Sequence, residues 1–336
     1  MTGEHRHAAG SRVAIVADAT VRWASSVAAG LAERHDVLGL TLVADTWFLG
    51  SHPLGPSPAT STAGAVALIS TADVVLPLGG DARVGALAQI SGLPSSTSTD
   101  ATRLTQDWWT VRLLAADAGV AVAEGVRVTR RTARGLDYLG PVTVRPAERT
   151  PIDLRMDAES PHALSTALER AFTYAEHAVV EETPDGDRVT VALVRRPDGA
   201  VVVSAPVRAR AQALVDSGIG ARTGELPVRG RAGSGSGGRV GARPPHFGSV
   251  PAGMTPPAEF DDLDRTRIDR AALDLMTALG AGGVLTASFV VGEREPVLDD
   301  VDLAPDLGPS GLAARMLAAG GSDYCDFLDL VVAAAR

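Results

Sequence analysis

All 31 basic residues of the 336-residue chain are arginine; there is no lysine, and no asparagine either. Schiff-base chemistry on a lysine is therefore excluded. A P-loop is excluded too, because its lysine must reach the β- and γ-phosphates. Any contact with a phosphate has to come from arginine, from backbone N–H groups or from a metal. One cysteine, Cys325, rules out a disulfide framework and a cysteine-based zinc site. The seven histidines, at 5, 7, 35, 52, 162, 177 and 246, form no i, i+4 pair on an expected element. No G-x-S-x-G nucleophile elbow occurs. The Gly-Ser-Gly stretch at 233–238 follows no strand, so it is not a dinucleotide fingerprint. A dense acidic run, Asp299-Asp300-Val301-Asp302, sits at the end of an apolar segment.

The elements that must position these residues can be read from apolar spacing. Runs at 12–17, 37–43 and 72–78 read as buried strands, and helical patterns follow each of them. Strand and helix alternate about every 20 residues, the signature of an α/β domain with a mostly parallel sheet. The stretch 50–62 is rich in Pro, Ser and Gly and reads as loop. A helix is expected over 105–118, with Trp108, Val111, Leu114 and Ala118 on one face and Gly119 just past its end. Strands are expected over 120–129, 141–145, 178–182, 189–195 and 200–206. A helix opens at Ser160-Pro161, serine as N-cap and proline in the first turn. A helix over 259–279 and paired strands at 284–291 and 296–298 follow, the acidic run ending the second strand. Two closing helices are expected behind Ser310 and Ser322 as caps.

Composition narrows the class. The chain is 45% hydrophobic but only 4% aromatic, so its core is built from Ala, Val and Leu. A net charge of −9 argues against a general binder of nucleic acid or anionic membranes. No run of about 18 uncharged apolar residues marks a membrane span, and nothing reads as a secretory signal, so a cytoplasmic protein is expected. Residues 1–11 read as a disordered leader. Residues 208–258 carry seven Arg against Asp216 and Glu225, with the spelling RGRAGSGSGGRVGARPP. They read as a flexible Arg/Gly loop without the interleaved aromatics of an RNA-binding tract.

The order of these pieces resembles the D-alanine–D-alanine ligase-like ATP-grasp family over nearly the whole chain. The resemblance is carried by SRVAIVA and SSVAAGLAE, then ADVVLPLGG and ISGLPSSTSTDA, then TQDWWTVRLLAADAGVAVAEGVRV. It continues through PVTVRPA, AVVEETPDGDRVTVALV and VLDDVDLAPDLGPSGLAARM. It implies an ATP-grasp fold of α/β and α+β class: an N-terminal parallel-sheet (pre-ATP-grasp) domain at 12–100, a central subdomain at 101–182 and a C-terminal subdomain at 183–336. It also implies ATP and Mg²⁺ as cofactors, a carboxylate phosphorylated and then attacked by an amine, and a homodimer through the N-terminal domain.

Carried over residue by residue, the resemblance assigns phosphate binding to Arg145, in place of the family's lysine. It assigns adenine and ribose contacts to Glu181 and Glu182, and Mg²⁺ to Asp300 and Asp302. For each, a solvated strand end or an ion-free loop is the structural alternative. The second family lysine falls at Trp108, a core or groove aromatic. The phosphate-covering glycine loop is replaced by Glu148-Arg149-Thr150-Pro151-Ile152-Asp153, where proline has no N–H to offer. The third metal ligand falls at Ser288, where Asp299 or Asp306 could compensate, and the substrate arginine falls at Thr286. The acid that holds the substrate amine is missing after the first strand, and Gly79-Gly80 replaces a His-Gly pair. Three readings follow: a true D-alanine–D-alanine ligase, a divergent carboxylate–amine ligase with another small-molecule carboxylate or amino acid, and a pseudoenzyme that serves a protein partner. The many replacements favour the pseudoenzyme.

Overall fold

A computed structural model describes residues 10–50, 59–150, 154–209, 254–255, 260–319 and 321–336. The sequence readings that fall on the leader up to residue 9, on His52, on 151–153 and on most of the Arg/Gly loop lie outside these residues. Three sheets organise the described chain.

The first sheet contains β1 (Arg12–Asp18), β2 (Asp36–Val43), β3 (Thr46–Leu49), β4 (Ala59–Thr60) and β5 (Val74–Leu78), in the order β4-β3-β2-β1-β5. Strand β1 pairs in parallel with both β2 and β5. Its residues 13–17 are wholly buried because both faces are covered, which is why the run is continuously apolar rather than alternating. Helices α2 (Thr62–Ile69) and α3 (Ala82–Ser91) cover one face, and α1 (Ala24–Leu31) covers the other. The expected loop at 50–62 thus contains β4, and β3 has no counterpart among the expected strands. Both are short antiparallel edge additions, too brief to show a period.

After α4 (Thr99–Leu104), helix α5 runs Trp108–Asp117, beginning later and ending sooner than expected. Asp107 sets its start: its carboxylate accepts from the Thr110 N–H at 3.2 Å, an N-cap contact. The buried face is Trp108, Val111, Arg112 and Ala115, whereas Ala118 is exposed.

The second sheet is antiparallel: β6 (Gly125–Thr129), β7 (Val142–Pro146), β8 (Met156–Ala158) and β9 (His177–Glu182), in the order β6-β9-β7-β8. The strand expected from 120 begins only at Gly125, because the Ala121 carbonyl instead receives the Leu298 N–H across the molecule. Helix α6 (Pro161–Tyr174), capped by Ser160 as expected, packs Leu164, Leu168 and Phe172 on one face of this sheet. The opposite face carries Arg127, Thr143, Arg145, Val179 and Glu181 by strand alternation.

The third sheet has the order β13-β12-β10-β14-β15, with β11 also pairing to β10. Its strands are β10 (Asp187–Arg195), β11 (Val201–Val203), β12 (Val207–Ala209), β13 (Met254–Thr255), β14 (Val284–Val291) and β15 (Val297–Asp302). The strand expected at 200–206 is shorter, β11 alone, and a separate strand, β12, begins just beyond it at Val207. Pro206, which lacks an N–H, interrupts pairing, and the Ser204 hydroxyl takes up the Ala192 N–H at 2.9 Å. Helix α7 (Asp262–Ala278), capped by Asp261 and shorter than expected at its start, fills one face with Ile268, Ala272, Leu275 and Met276. The strand expected at 296–298 with the acidic run at its end runs Val297–Asp302, so the run makes up most of it. Helices α8 (Leu312–Ala318) and α9 (Tyr324–Ala334) are preceded by Gly311 and Asp323 as N-caps, not by the serines. Asp323 wins because it forms a reciprocal capping box with Asp326. Both helices return to pack on β1, β5 and α1, joining the chain's end to its beginning.

Candidate functional site

The bare face of the second sheet meets the third sheet along β15. The register between β14 and β15 shifts there: Ser288 opposes Asp300 and Phe289 opposes Leu298, so Asp299 is an extra, bulged residue. A bulge re-aims its side chain, and Asp299 is turned into the seam, 4% exposed. Arg145 on β7 reaches across and donates Nη2 to the Asp299 carbonyl at 3.0 Å. The expected phosphate residue and the expected metal strand therefore share one groove.

Glu181 is the centre of the second-sheet side. It is 4% exposed and has three neighbours. Arg112 Nη1 lies 2.5 Å from Oε1, Arg145 Nε lies 3.2 Å from Oε2, and the Trp108 indole N–H reaches both oxygens at 3.1 Å. Arg145 also lies over the Trp108 ring, 4.3 Å from its centroid, a favourable contact of a cation with a π face. Arg112 donates further to the Ala123 carbonyl and lies 5.1 Å over the Trp109 ring. Gly125 makes room for it: a Cβ there would stand 2.7 Å from Arg112 Nη1 and 2.7 Å from the Val180 carbonyl. Burial disfavours the charge on Arg112 and lowers its pKa below the usual guanidinium value, an effect the attraction of Glu181 opposes. Glu182, by contrast, points outward and is exposed.

Asp299 is the matching centre on the third-sheet side. Arg188 Nε on β10 lies 2.8 Å from Oδ2, and Arg155 donates to Oδ1. Burial weighs most on both guanidiniums. Pairing with Asp299 outweighs it at Arg155, whose pKa is raised. At Arg188 the added repulsion of Arg155 and Arg145 leaves it lowered. Asp300 and Asp302 are on one strand face and both approach Arg149, at 3.8 Å and 3.5 Å. Ser288, in the position expected for a third ligand, shares a 2.8 Å hydroxyl contact with Thr190. Asp306 accepts the Gly308 N–H at 2.7 Å. Among the described residues, no three His, Cys, Asp or Glu side chains are grouped to hold a metal ion.

Sequence reasoning brings Arg145, Glu181, Asp300 and Asp302 to one cleft and leaves out Arg112, Arg155 and Arg188. A signal exists for Arg112: it lies one turn after Trp108 on the apolar face of α5, where a guanidinium needs a buried partner. Arg155 and Arg188 carry no such signal, since both stand at strand or loop ends that normally meet solvent.

No protein-family model matches the chain. The D-alanine–D-alanine ligase of Corynebacterium urealyticum is 25% identical over 281 residues, 80% of this chain and 71% of that protein. The D-alanine–D-alanine ligase of Mycolicibacterium smegmatis is 28% identical over 285 residues, covering 79% and 69%. Among solved structures, the VanG D-Ala:D-Ser ligase of Enterococcus faecalis superposes with a TM-score of 0.72 at 17% identity, over 97% of this chain and 100% of that one. The D-alanine–D-alanine ligase of Coxiella burnetii gives 0.71 at 14% identity, over 97% and 95%. The fold is that of an ATP-grasp protein. Over about four fifths of its length the chain is similar in sequence to D-alanine–D-alanine ligases. Among the described residues no helix is long and apolar enough to cross a membrane.

Proposed function

We propose that this chain is a non-catalytic D-alanine–D-alanine ligase homologue that acts by binding a protein partner, in the cytoplasm, rather than by forming an amide. One observation carries the reading. Glu181, the residue the resemblance assigns to the nucleotide, is buried between Arg112 and Arg145 and capped by the Trp108 indole. A carboxylate so engaged has little capacity left to read a nucleotide, and freeing it would strand two buried guanidiniums. Arg145, the one cation kept at a family lysine position, is turned toward Glu181, Trp108 and the Asp299 carbonyl. The residues present do not fit Mg-ATP as the ligases of this fold hold it. The divisions 12–100, 101–182 and 183–336 belong to the same reading; each is supported by its own sheet, although α8 and α9 pack back onto the first.

The position of Arg145 beside the acidic strand favours a second reading, a divergent carboxylate–amine ligase with a substrate other than D-alanine. ADP release separates the two. The purified chain, given Mg-ATP with D-alanine, D-serine and panels of amino acids and small carboxylates, is expected to release no ADP above a no-protein control. Substrate-dependent ADP release would overturn the non-catalytic reading.

A further inference from the structure

We propose that Arg149 is a built-in counter-ion that takes the place of a divalent metal at β15 and straps the second sheet to the third. The inference goes beyond the functional reading, because a metal-free cleft could still bind a nucleotide.

Three oxygens face this one guanidinium. Nη1 lies 3.5 Å from Asp302 Oδ1, Nη2 lies 3.8 Å from Asp300 Oδ1, and Nη2 also donates to the carbonyl of Val301 between them. Two carboxylates and a carbonyl on one short segment are the kind of hard oxygen set a divalent cation takes. The planar, permanently charged fork of arginine can meet the same set with several donors at once. The arginine is anchored from behind, since its own backbone N–H donates to the Gln106 carbonyl at 2.6 Å. The preceding acid on β15 follows the same rule: Asp299 is met by Arg155 and Arg188. Asp300 also adds attraction to Arg188. Each acid of the run is thus matched by a guanidinium of the chain. Ser288 brings no charge to a third ligand position.

A guanidinium differs from a metal in two testable ways. It is covalently part of the chain, so stability does not depend on added divalent ions. Removing it should expose the oxygen set to them. The test uses the full-length chain and three variants, Arg149→Ala, Arg149→Lys and Arg149→Ala combined with Asp300→Asn and Asp302→Asn. Mn²⁺ binding is read by loss of the free-ion electron paramagnetic resonance signal, and melting is followed with and without Mg²⁺ at about 10 mM, where binding to the folded state alone raises the midpoint. The wild-type chain should bind no Mn²⁺ and melt identically with and without Mg²⁺. Arg149→Ala should melt lower, bind Mn²⁺ and recover at least half of its lost midpoint with Mg²⁺. The triple variant should lose that rescue. Arg149→Lys, which keeps a cation, should stay insensitive to Mg²⁺; if the alanine variant does not fold, this one and the wild type carry the Mn²⁺ test. Mn²⁺ binding by the wild type that Asp300→Asn removes, or a folded Arg149→Ala indifferent to both ions, would overturn the proposal. Neither result touches the ADP-release test, so failure of this inference and failure of the functional reading are distinguishable.

Discussion

Arg145 lies over the Trp108 indole, 4.3 Å from its centroid, while the N–H of that same indole points at Glu181. A tryptophan at a position where the resemblance expects a phosphate lysine has become a shelf for one arginine and a donor to its counter-ion. The groove is organised around its own charges.

Glu181→Ala should therefore be costly. It leaves Arg112 and Arg145 without their buried partner, a loss of about 3–5 kcal/mol in unfolding free energy. The combined change Glu181→Leu with Arg112→Met removes both sides of the closest pair, and should cost much less than the sum of the single changes. Urea denaturation midpoints read both. Additive losses would show that the pair is not coupled.

Trp108→Phe keeps a ring for Arg145 and removes the N–H donor. Glu181 keeps its arginines, so the loss should be smaller, about 1–3 kcal/mol, on the scale of one buried charged hydrogen bond. A loss as large as that of Glu181→Ala would mean that the indole, not the ion pair, holds the cluster.

Gly125→Ala tests the space that Arg112 needs. The new methyl would stand 2.7 Å from Arg112 Nη1 and 2.7 Å from a backbone carbonyl of β9. The guanidinium can swing away, but the carbonyl can move only with its strand. The variant should be destabilised, and the carbonyl contact should keep it destabilising in an Arg112→Ala background as well. Wild-type stability in Gly125→Ala would contradict the packing described.

Cys325 should be a slow thiol. Burial first, and then its contact with Glu33 at 3.3 Å, push its pKa up to about 11. At pH 8 it stays protonated in the folded chain, while an unfolded cysteine, titrating at about 8.5, is partly thiolate. Alkylation of the native protein at pH 8 should lag the urea-unfolded protein on the order of 100-fold, and accelerate only as pH rises toward the folded value. The linkage has the matching sign: with the folded value raised, this group's stabilising effect is complete below the unfolded value and fades as pH rises from there. Equal alkylation rates at pH 8 would refute the shift.

The parallel strands are legible in the sequence because both faces of β1 and β5 are buried, so that residues 13–17 and 74–76 have to be apolar. Helix α6 is legible because Ser160 and Pro161 announce its start. The caps at Asp107, Asp261 and Asp323 are harder, since acidic residues are common in this chain and only local geometry selects among them. The short strands β3 and β4 hold their places through neighbours, not through any period of their own. At the site, the family resemblance carried over residue by residue singles out Arg145, Glu181, Asp300 and Asp302, and strand alternation adds only that Asp300 and Asp302 share a face. The bulge that turns Asp299 inward depends on the register between β14 and β15. No reading of one strand alone reveals a register, so Asp299 as a hub for Arg155 and Arg188 comes only with the structure.

The most direct test of the central claim is a titration of the wild-type chain with Mg-ATP, followed by thermal melting and by isothermal calorimetry. A nucleotide present at about 100 times its dissociation constant would add about 2.7 kcal/mol to folding and raise the melting midpoint by several degrees. The internally paired cleft described here predicts no heat and no shift at millimolar Mg-ATP. A saturable rise in the midpoint, abolished by Arg145→Ala, would contradict it.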